Sequence, residues 1–254
     1  MPEDPAAGTR EAVTYNRYLH IDELLFIVIH QVYELWFKEM LHELDRVRSL
    51  LEADDAPRAQ HTLKRILTIL KVLVAQLDIL ETMTPLEFQS FRARLEEASG
   101  FQSDQFRQLE FVLGMKTDGV LQRFPSDSRA REALERRLRE PTIWDAFLRY
   151  LARERYAVPE AQLHRDVALP IAPSEEIQGL LVAIYRRDAK NTELCERLVD
   201  LDEGIQEWRY RHVKMVERTI GTQPGTGGST GAKYLRTTLG RPLFPDLWEI
   251  RARL

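Results

Sequence analysis

The sequence predicts an all-α protein, a bundle built from several long helices. Apolar residues recur at three- and four-residue intervals over most of the chain, which is the spacing of one face of a helix. Glycine and proline residues separate these stretches from one another. We find no run of alternating apolar and polar residues typical of a half-buried strand, and no internal repeat. A helical bundle is the architecture that buries such apolar faces.

Three helices open the predicted bundle. The first covers residues 22 to about 51, and the second covers about 58–82. The second helix is apolar around so much of its circumference that we expect it in the interior. The third begins at Thr84, which can act as the N-cap, while Pro85 suits the first helical position and Glu87 completes a capping box.

Five further helices are predicted downstream by the same periodicity. They cover approximately residues 104–113, 128–139, 143–155, 174–187 and 191–220.

A glycine-rich segment, residues 221–231, breaks the helical pattern. It holds five of the chain's 12 glycines, and such a segment is costly to order, so it is either a flexible linker or a ligand loop. A phosphate-binding P-loop is not indicated, because Ala232 separates Gly231 from Lys233 and the segment follows a helix instead of a strand.

Length, charge and cysteine content restrict the class of protein. A chain of 254 residues is close to the upper limit for one hydrophobic core, so we expect a single domain over residues 1–254. The net charge of −4 offers no basic surface for nucleic acid, and no apolar run is long enough to span a membrane. The only cysteine, Cys195, excludes an intrachain disulfide and favours a cytoplasmic protein.

His212 is the first residue that could carry chemistry. It shares a helical stripe with Leu201, Ile205, Trp208 and Met215, so we expect its imidazole to point into the bundle. One interpretation is a core histidine satisfied by a single hydrogen bond. The other is an axial ligand, because a neutral imidazole in a dry pocket suits haem iron.

His30 lies on the first helix, along a stripe with Phe26, Tyr33 and Phe37. Periodicity alone favours simple core packing for this residue. The alternative is the wall of a flat pocket for an aromatic or porphyrin ligand.

Arg92 lies on the apolar face of the third helix, together with Phe88, Phe91 and Leu95. Arginine is rarely buried without a partner, because its charge cannot be lost. Its charge either reaches solvent or pairs with an acidic residue, or its guanidinium clamps a substrate carboxylate.

His42 forms an E-x-x-H pattern with Glu39, which is found in di-iron proteins. A di-iron site needs two such motifs, and the sequence offers only one, so we expect His42 on a solvated face. The zinc motif H-E-x-x-H is absent from the sequence.

Six segments, taken in chain order, resemble the tryptophan 2,3-dioxygenase family. They are TYNRYL at 14–19, DELLFIVIHQ at 22–31 with ELW at 34–36, ETMTPLEF at 81–88 with FR at 91–92, SGFQS at 99–103, WRYRH at 208–212 and GTGGS at 225–229. The resemblance implies long helices enclosing a pocket for haem b in its ferrous form, and assembly into a homotetramer. It also implies insertion of both atoms of dioxygen into L-tryptophan to give N-formyl-L-kynurenine.

The resemblance also implies a role for individual residues. His212 corresponds to the proximal iron ligand, and His30 to the distal histidine near the indole N–H. Arg92 would bind the substrate carboxylate and Thr226 the amino-acid end. The remaining residues implied to contact substrate in the same subunit are Phe26, Ile27, Val28, Ile29 and Phe88.

An N-terminal arm, about residues 1–21, is implied to contact a neighbouring subunit. Tyr15, Tyr18 and Leu19 would complete the pocket of that subunit. The chain departs from the family here, because only two residues separate Leu19 from Asp22 where the family has a considerably longer stretch. The alternatives to an enzyme are a non-catalytic haem sensor or carrier, and a helical interaction module whose histidines are all structural.

Overall fold

The computed structural model describes residues 25–95, 98–225 and 231–254. Over these residues the chain forms eleven α-helices and no strand, so the predicted all-α class is confirmed. The α-helices are α1 (Leu25–Glu52), α2 (Ala56–Leu80), α3 (Pro85–Arg92), α4 (Asp104–Val112), α5 (Arg129–Arg139), α6 (Ile143–Arg153), α7 (Glu160–Leu163), α8 (Glu175–Arg187), α9 (Ala189–Ile220), α10 (Ala232–Arg236) and α11 (Pro245–Glu249). Short 3₁₀ helices cover Ala93–Leu95, Gly100–Gln102, Asp118–Arg123 and Ile250–Arg253.

The three longest helices form the centre of the bundle. α2 packs against both α1 and α9, as expected for the helix with the broadest apolar face. Gly204 of α9 allows a close approach, because a Cβ atom there would lie 2.5 Å from Leu70 Cδ2. The Tyr33 hydroxyl of α1 donates a hydrogen bond to the Leu73 carbonyl of α2 at 2.6 Å. These contacts fix the two helices, α1 and α9, that carry His30 and His212.

Helices α4, α5 and α6 extend the bundle beyond α1. α4 and α6 pack on α1, and α5 packs on α4. α6 begins with a capping box in which Asp145 accepts the Thr142 N–H at 2.7 Å. The same buried carboxylate accepts two hydrogen bonds from Arg165, and these interactions hold its pKa below the ordinary value despite the opposing effect of burial.

The predicted start of α3 is confirmed in detail. The Thr84 hydroxyl accepts the Glu87 N–H at 3.3 Å, and the Glu87 carboxylate accepts the Thr84 N–H at 2.7 Å. Two otherwise unsatisfied N–H groups are therefore paired at the helix start. This capped end fixes the short helix that carries Phe88 and Arg92.

The C-terminal segment is held by a buried carboxylate on α9. Asp202 accepts hydrogen bonds from the N–H groups of Leu243 and Phe244 and from Trp248 Nε1, at 2.8 to 3.0 Å. The sequence did not predict α10 or α11, because helices of five residues show too few turns for a periodic pattern. Among the described helices, none has the length and apolar character that a membrane span requires.

Candidate cofactor and substrate site

His212 lies one turn after Trp208 on α9, and the Trp208 ring lies 6.2 Å from the rings of both Tyr33 and Phe37 on α1. Its imidazole stacks on the indole of Trp208, with ring centroids 5.1 Å apart and planes inclined by 6°. Over the described part of the chain, neither ring nitrogen has a hydrogen-bond partner, so the interpretation of a core histidine satisfied by one hydrogen bond does not fit. The ring is oriented by stacking and keeps its nitrogen atoms free.

The surroundings of His212 keep it neutral. Its pKa is lowered to about 4, mainly by desolvation on burial and to a lesser extent by electrostatic interactions with His30 and Arg107. A neutral imidazole with an uncommitted nitrogen is the donor that haem iron accepts from a protein. The residues present therefore fit a haem whose iron is held by His212.

His30 is exposed on α1, so the core packing that periodicity favoured is wrong for this residue. Its ring lies against Phe26, with centroids 4.4 Å apart. His30 Nδ1 lies 2.7 Å from the Phe26 carbonyl oxygen, which can only accept a hydrogen bond. In the neutral ring Nδ1 therefore carries the proton, and Nε2 is left as an acceptor.

Three phenylalanine rings form a continuous apolar wall beside His30. Phe26 lies 5.5 Å from Phe88 and 5.6 Å from Phe91, and the latter two rings meet edge to face at 5.4 Å. The wall joins the beginning of α1 to α3, and Phe88 is its most buried member in α3. Of the neighbouring residues with an expected substrate contact, Ile27 and Val28 are half-buried, and Ile29 is buried in the main core.

Arg92 is half-buried at the end of α3 and points toward the glycine-rich segment. Its Nη1 donates to Gln223 Oε1, and its Nη2 donates to the Pro224 carbonyl at 2.6 Å. No acidic side chain in the described ranges pairs with this guanidinium, so the predicted alternative of an internal ion pair is not observed.

The described ends of the glycine-rich segment approach each other closely. A Cβ atom at Gly231 would lie 2.8 Å from the Gln223 carbonyl oxygen, and Gly231 has a φ of +57°, where glycine is strongly favoured. Beyond this contact, Tyr234 lies with its ring 5.0 Å from that of Phe101. We call residues 221–225 and 231 the loop neck.

A buried ionic cluster behind Trp208 was missed by the sequence analysis. Glu110 of α4 lies between two guanidinium groups, at 2.6 Å from Arg107 and 3.2 Å from Arg209. Arg107 Nε and Arg209 Nη1 are both buried, and neither has a hydrogen-bond partner within residues 25–95, 98–225 and 231–254. The i, i+3 spacing of Arg107 and Glu110 was the available signal, but a solvated helix face shows the same spacing.

Four residues with an expected role lie outside the described ranges. They are Tyr15, Tyr18, Leu19 and Thr226.

Comparison with known proteins identifies the family. The family model for tryptophan 2,3-dioxygenase matches residues 9–155 and 173–254. The tryptophan 2,3-dioxygenase of Herpetosiphon aurantiacus is 56% identical over 260 residues, covering 96% of this chain and 99% of the relative. The enzyme of that name from Anaeromyxobacter dehalogenans is 50% identical over 265 residues, covering 99% of each chain. That from Caulobacter vibrioides is 42% identical, covering 95% of this chain and 98% of the relative. The chain therefore belongs to the tryptophan 2,3-dioxygenase family, as the sequence motifs predicted.

Proposed function

We propose that this chain is a haem-dependent dioxygenase that inserts both atoms of dioxygen into the indole ring of L-tryptophan, giving N-formyl-L-kynurenine. The observation that carries the proposal is the neutral imidazole of His212 near His30, which has no hydrogen-bond partner among the described residues, in a chain of this family. The named relatives support a dioxygenase acting on tryptophan, and no comparison supports a non-catalytic haem sensor or carrier.

His212 is the proposed axial ligand of haem b. Stacking on Trp208 restricts rotation of the imidazole, so the ligand nitrogen is oriented before the cofactor arrives. Bound haem, in its ferrous form, supplies the activation of dioxygen for insertion into the indole ring.

His30 is the proposed contact for the substrate indole. Its Nε2 is an acceptor in the neutral ring, so it can accept a hydrogen bond from the indole N–H. The indole N–H is a very weak acid, so we assign His30 to orienting the ring and not to removing its proton. The apolar wall of Phe26 and Phe88 suits the faces and edges of an indole ring, and Ile27, Val28 and Ile29 complete the expected contacts.

Arg92 is the proposed partner of the substrate carboxylate. Its guanidinium has five N–H donors in a fixed plane, so it can keep its contacts with the loop neck and bind an anion through the remaining donors. Phe88 carries no hydroxyl group, so it cannot share this task. Thr226, by resemblance, contacts the amino-acid end of the substrate.

We propose a homotetramer of single-domain subunits spanning residues 1–254, in which Tyr15, Tyr18 and Leu19 of the N-terminal arm complete the pocket of a neighbouring subunit. A cytoplasmic location is consistent with the single cysteine, Cys195, which is buried and free.

Product formation by the haem-loaded protein tests this function. The protein is reduced without oxygen, mixed with L-tryptophan, and exposed to isotopically labelled dioxygen. The proposal predicts N-formyl-L-kynurenine carrying the label at both new oxygen atoms. A protein that binds haem but forms no product is a haem sensor or carrier. A protein that shows no haem spectrum after haem addition is neither a haem dioxygenase nor a haem carrier.

A further inference from the structure

Gln223, in the segment that follows α9, accepts a hydrogen bond from the guanidinium of Arg92 on α3. We propose that Gln223 is a positioning residue that orients Arg92 for the carboxylate of the substrate before the substrate binds. The identity of the bound anion rests on the proposed function, whereas the contact between the two residues does not.

The contact uses one pair of donors on the guanidinium. Arg92 Nη1 donates to Gln223 Oε1, and Nη2 donates to the Pro224 carbonyl at 2.6 Å. Among the described residues, the second hydrogen atoms of both nitrogens and the Nε–H have no acceptor. An edge containing Nε is therefore able to bind a carboxylate in a bidentate manner. Both contacts with the loop neck are therefore compatible with bound substrate.

Gln223 is itself held in place. Gln89, one turn before Arg92 on α3, donates from Nε2 to the same Gln223 oxygen at 3.2 Å. The Gln223 N–H donates to the Ile220 carbonyl at 3.0 Å, and its own carbonyl abuts Gly231. The side-chain oxygen that orients Arg92 is therefore also held by Gln89, and the backbone that carries it is fixed by its own contacts.

The physical consequence is preorganisation. A free arginine side chain loses much of its rotamer freedom when it binds an anion, and this loss weakens binding. In this chain the loss has already occurred on folding, because two neutral oxygen atoms hold the guanidinium without neutralising its charge. A carboxylate therefore meets a fixed, fully charged partner.

Ligand binding to a set of variants tests the proposal. L-Tryptophan and tryptamine, which lacks the carboxylate, are titrated into haem-loaded wild type, Gln223→Ala and the control Thr222→Ala, with the haem spectrum as the readout. We expect Gln223→Ala to weaken L-tryptophan binding about tenfold and to change tryptamine binding less than about twofold. Thr222→Ala, at an exposed neighbouring position, should leave both ligands unchanged.

A double variant separates positioning from a general structural effect. In an Arg92→Ala background, Gln223→Ala should have no further effect on L-tryptophan affinity, because Gln223 acts only through Arg92. The proposal is overturned if Gln223→Ala leaves L-tryptophan binding unchanged, tightens it, weakens tryptamine equally, or retains its effect without Arg92.

Hydrogen exchange without ligand tests the contact independently of the function. Amide exchange over residues 221–225 should accelerate in Gln223→Ala and in Arg92→Ala, but not in Thr222→Ala. Unchanged exchange in both would overturn the proposed contact. If both variants accelerate exchange but the wild type forms no product, the contact is supported and only the proposed function is contradicted.

Discussion

The imidazole of His212 lies parallel to the indole of Trp208, at a centroid distance of 5.1 Å. The two residues are four positions apart on α9, so the helix itself brings the rings together. Stacking fixes the plane of the imidazole without using either nitrogen, and burial keeps the ring neutral with a pKa of about 4. A ring held in this way is prepared to donate a nitrogen lone pair.

Replacing His30 by alanine should slow turnover without abolishing it. The variant loses one hydrogen bond to the indole N–H, which corresponds to about a tenfold decrease in the rate of turnover. Steady-state formation of N-formyl-L-kynurenine measures the effect, and the haem spectrum reports whether cofactor and substrate still bind. No detectable turnover with intact haem and tryptophan binding would show that His30 is an obligatory base.

Replacing Arg92 by alanine should weaken binding of L-tryptophan. Loss of a charged bidentate partner costs roughly 2–4 kcal/mol of substrate binding. The apparent dissociation constant from the haem spectrum measures this, with Arg94→Ala as the control at an exposed position two residues away. An affinity of Arg92→Ala within about threefold of wild type would contradict the assignment, because even one charged hydrogen bond is worth more.

Much of the fold was predictable, because long amphipathic helices leave a strong periodic signal. The ranges 104–113, 128–139 and 174–187 agree with α4, α5 and α8 to within a residue or two. The short α7, α10 and α11 were not predicted, since their positions depend on tertiary contacts such as those of Asp202.

The candidate site was predictable only in part. The stripes on α1 and α9 indicated His30 and His212, but periodicity was wrong about the burial of His30. The partner of Arg92 could not be found by spacing, because Gln223 is 131 residues away in the sequence. Contacts of that kind arise from the packing of α3 against α9, which no local pattern encodes.

The titration of Lys116 should increase the free energy of unfolding as the pH rises from about 8 to 10.5. Lys116 is 2% exposed and donates to the carbonyl groups of Leu138, at 2.9 Å, and Glu140. Burial lowers its pKa from 10.5 to about 8, an effect that Asp145 and Glu140 partly oppose. Between these two pH values the unfolded chain holds more protons than the folded chain, so the free energy of unfolding increases with pH.

The variant Lys116→Met removes this titration. The difference between the urea unfolding free energies at pH 9.5 and pH 7.5 should be smaller in Lys116→Met than in wild type by on the order of 1 kcal/mol. Lys71→Met, at an exposed position, should behave as wild type does. An equal pH dependence in Lys116→Met and wild type would show that Lys116 does not have a lowered pKa.

Replacing Asp202 by alanine should destabilise the fold by detaching the C-terminal segment. Three buried or partly buried donors, the N–H groups of Leu243 and Phe244 and Trp248 Nε1, would lose their acceptor. We expect a loss of about 2–4 kcal/mol in the free energy of unfolding, because unpaired buried donors retain their desolvation cost. Chemical denaturation measures the loss, with Asp200→Ala on the same helix as the control. A change below about 0.5 kcal/mol, the usual range for a surface position, would contradict the account.

The central claim is that the imidazole of His212 holds the haem iron. Absorption spectra of the reduced, haem-loaded protein test it most directly, comparing wild type, His212→Gly and the exposed control His42→Ala, each with and without added imidazole. We predict that wild type and His42→Ala show the same haem spectrum and respond to L-tryptophan. His212→Gly should lose that spectrum and regain it when free imidazole replaces the missing side chain. A folded His212→Gly protein with the wild-type haem spectrum in the absence of imidazole would contradict the claim.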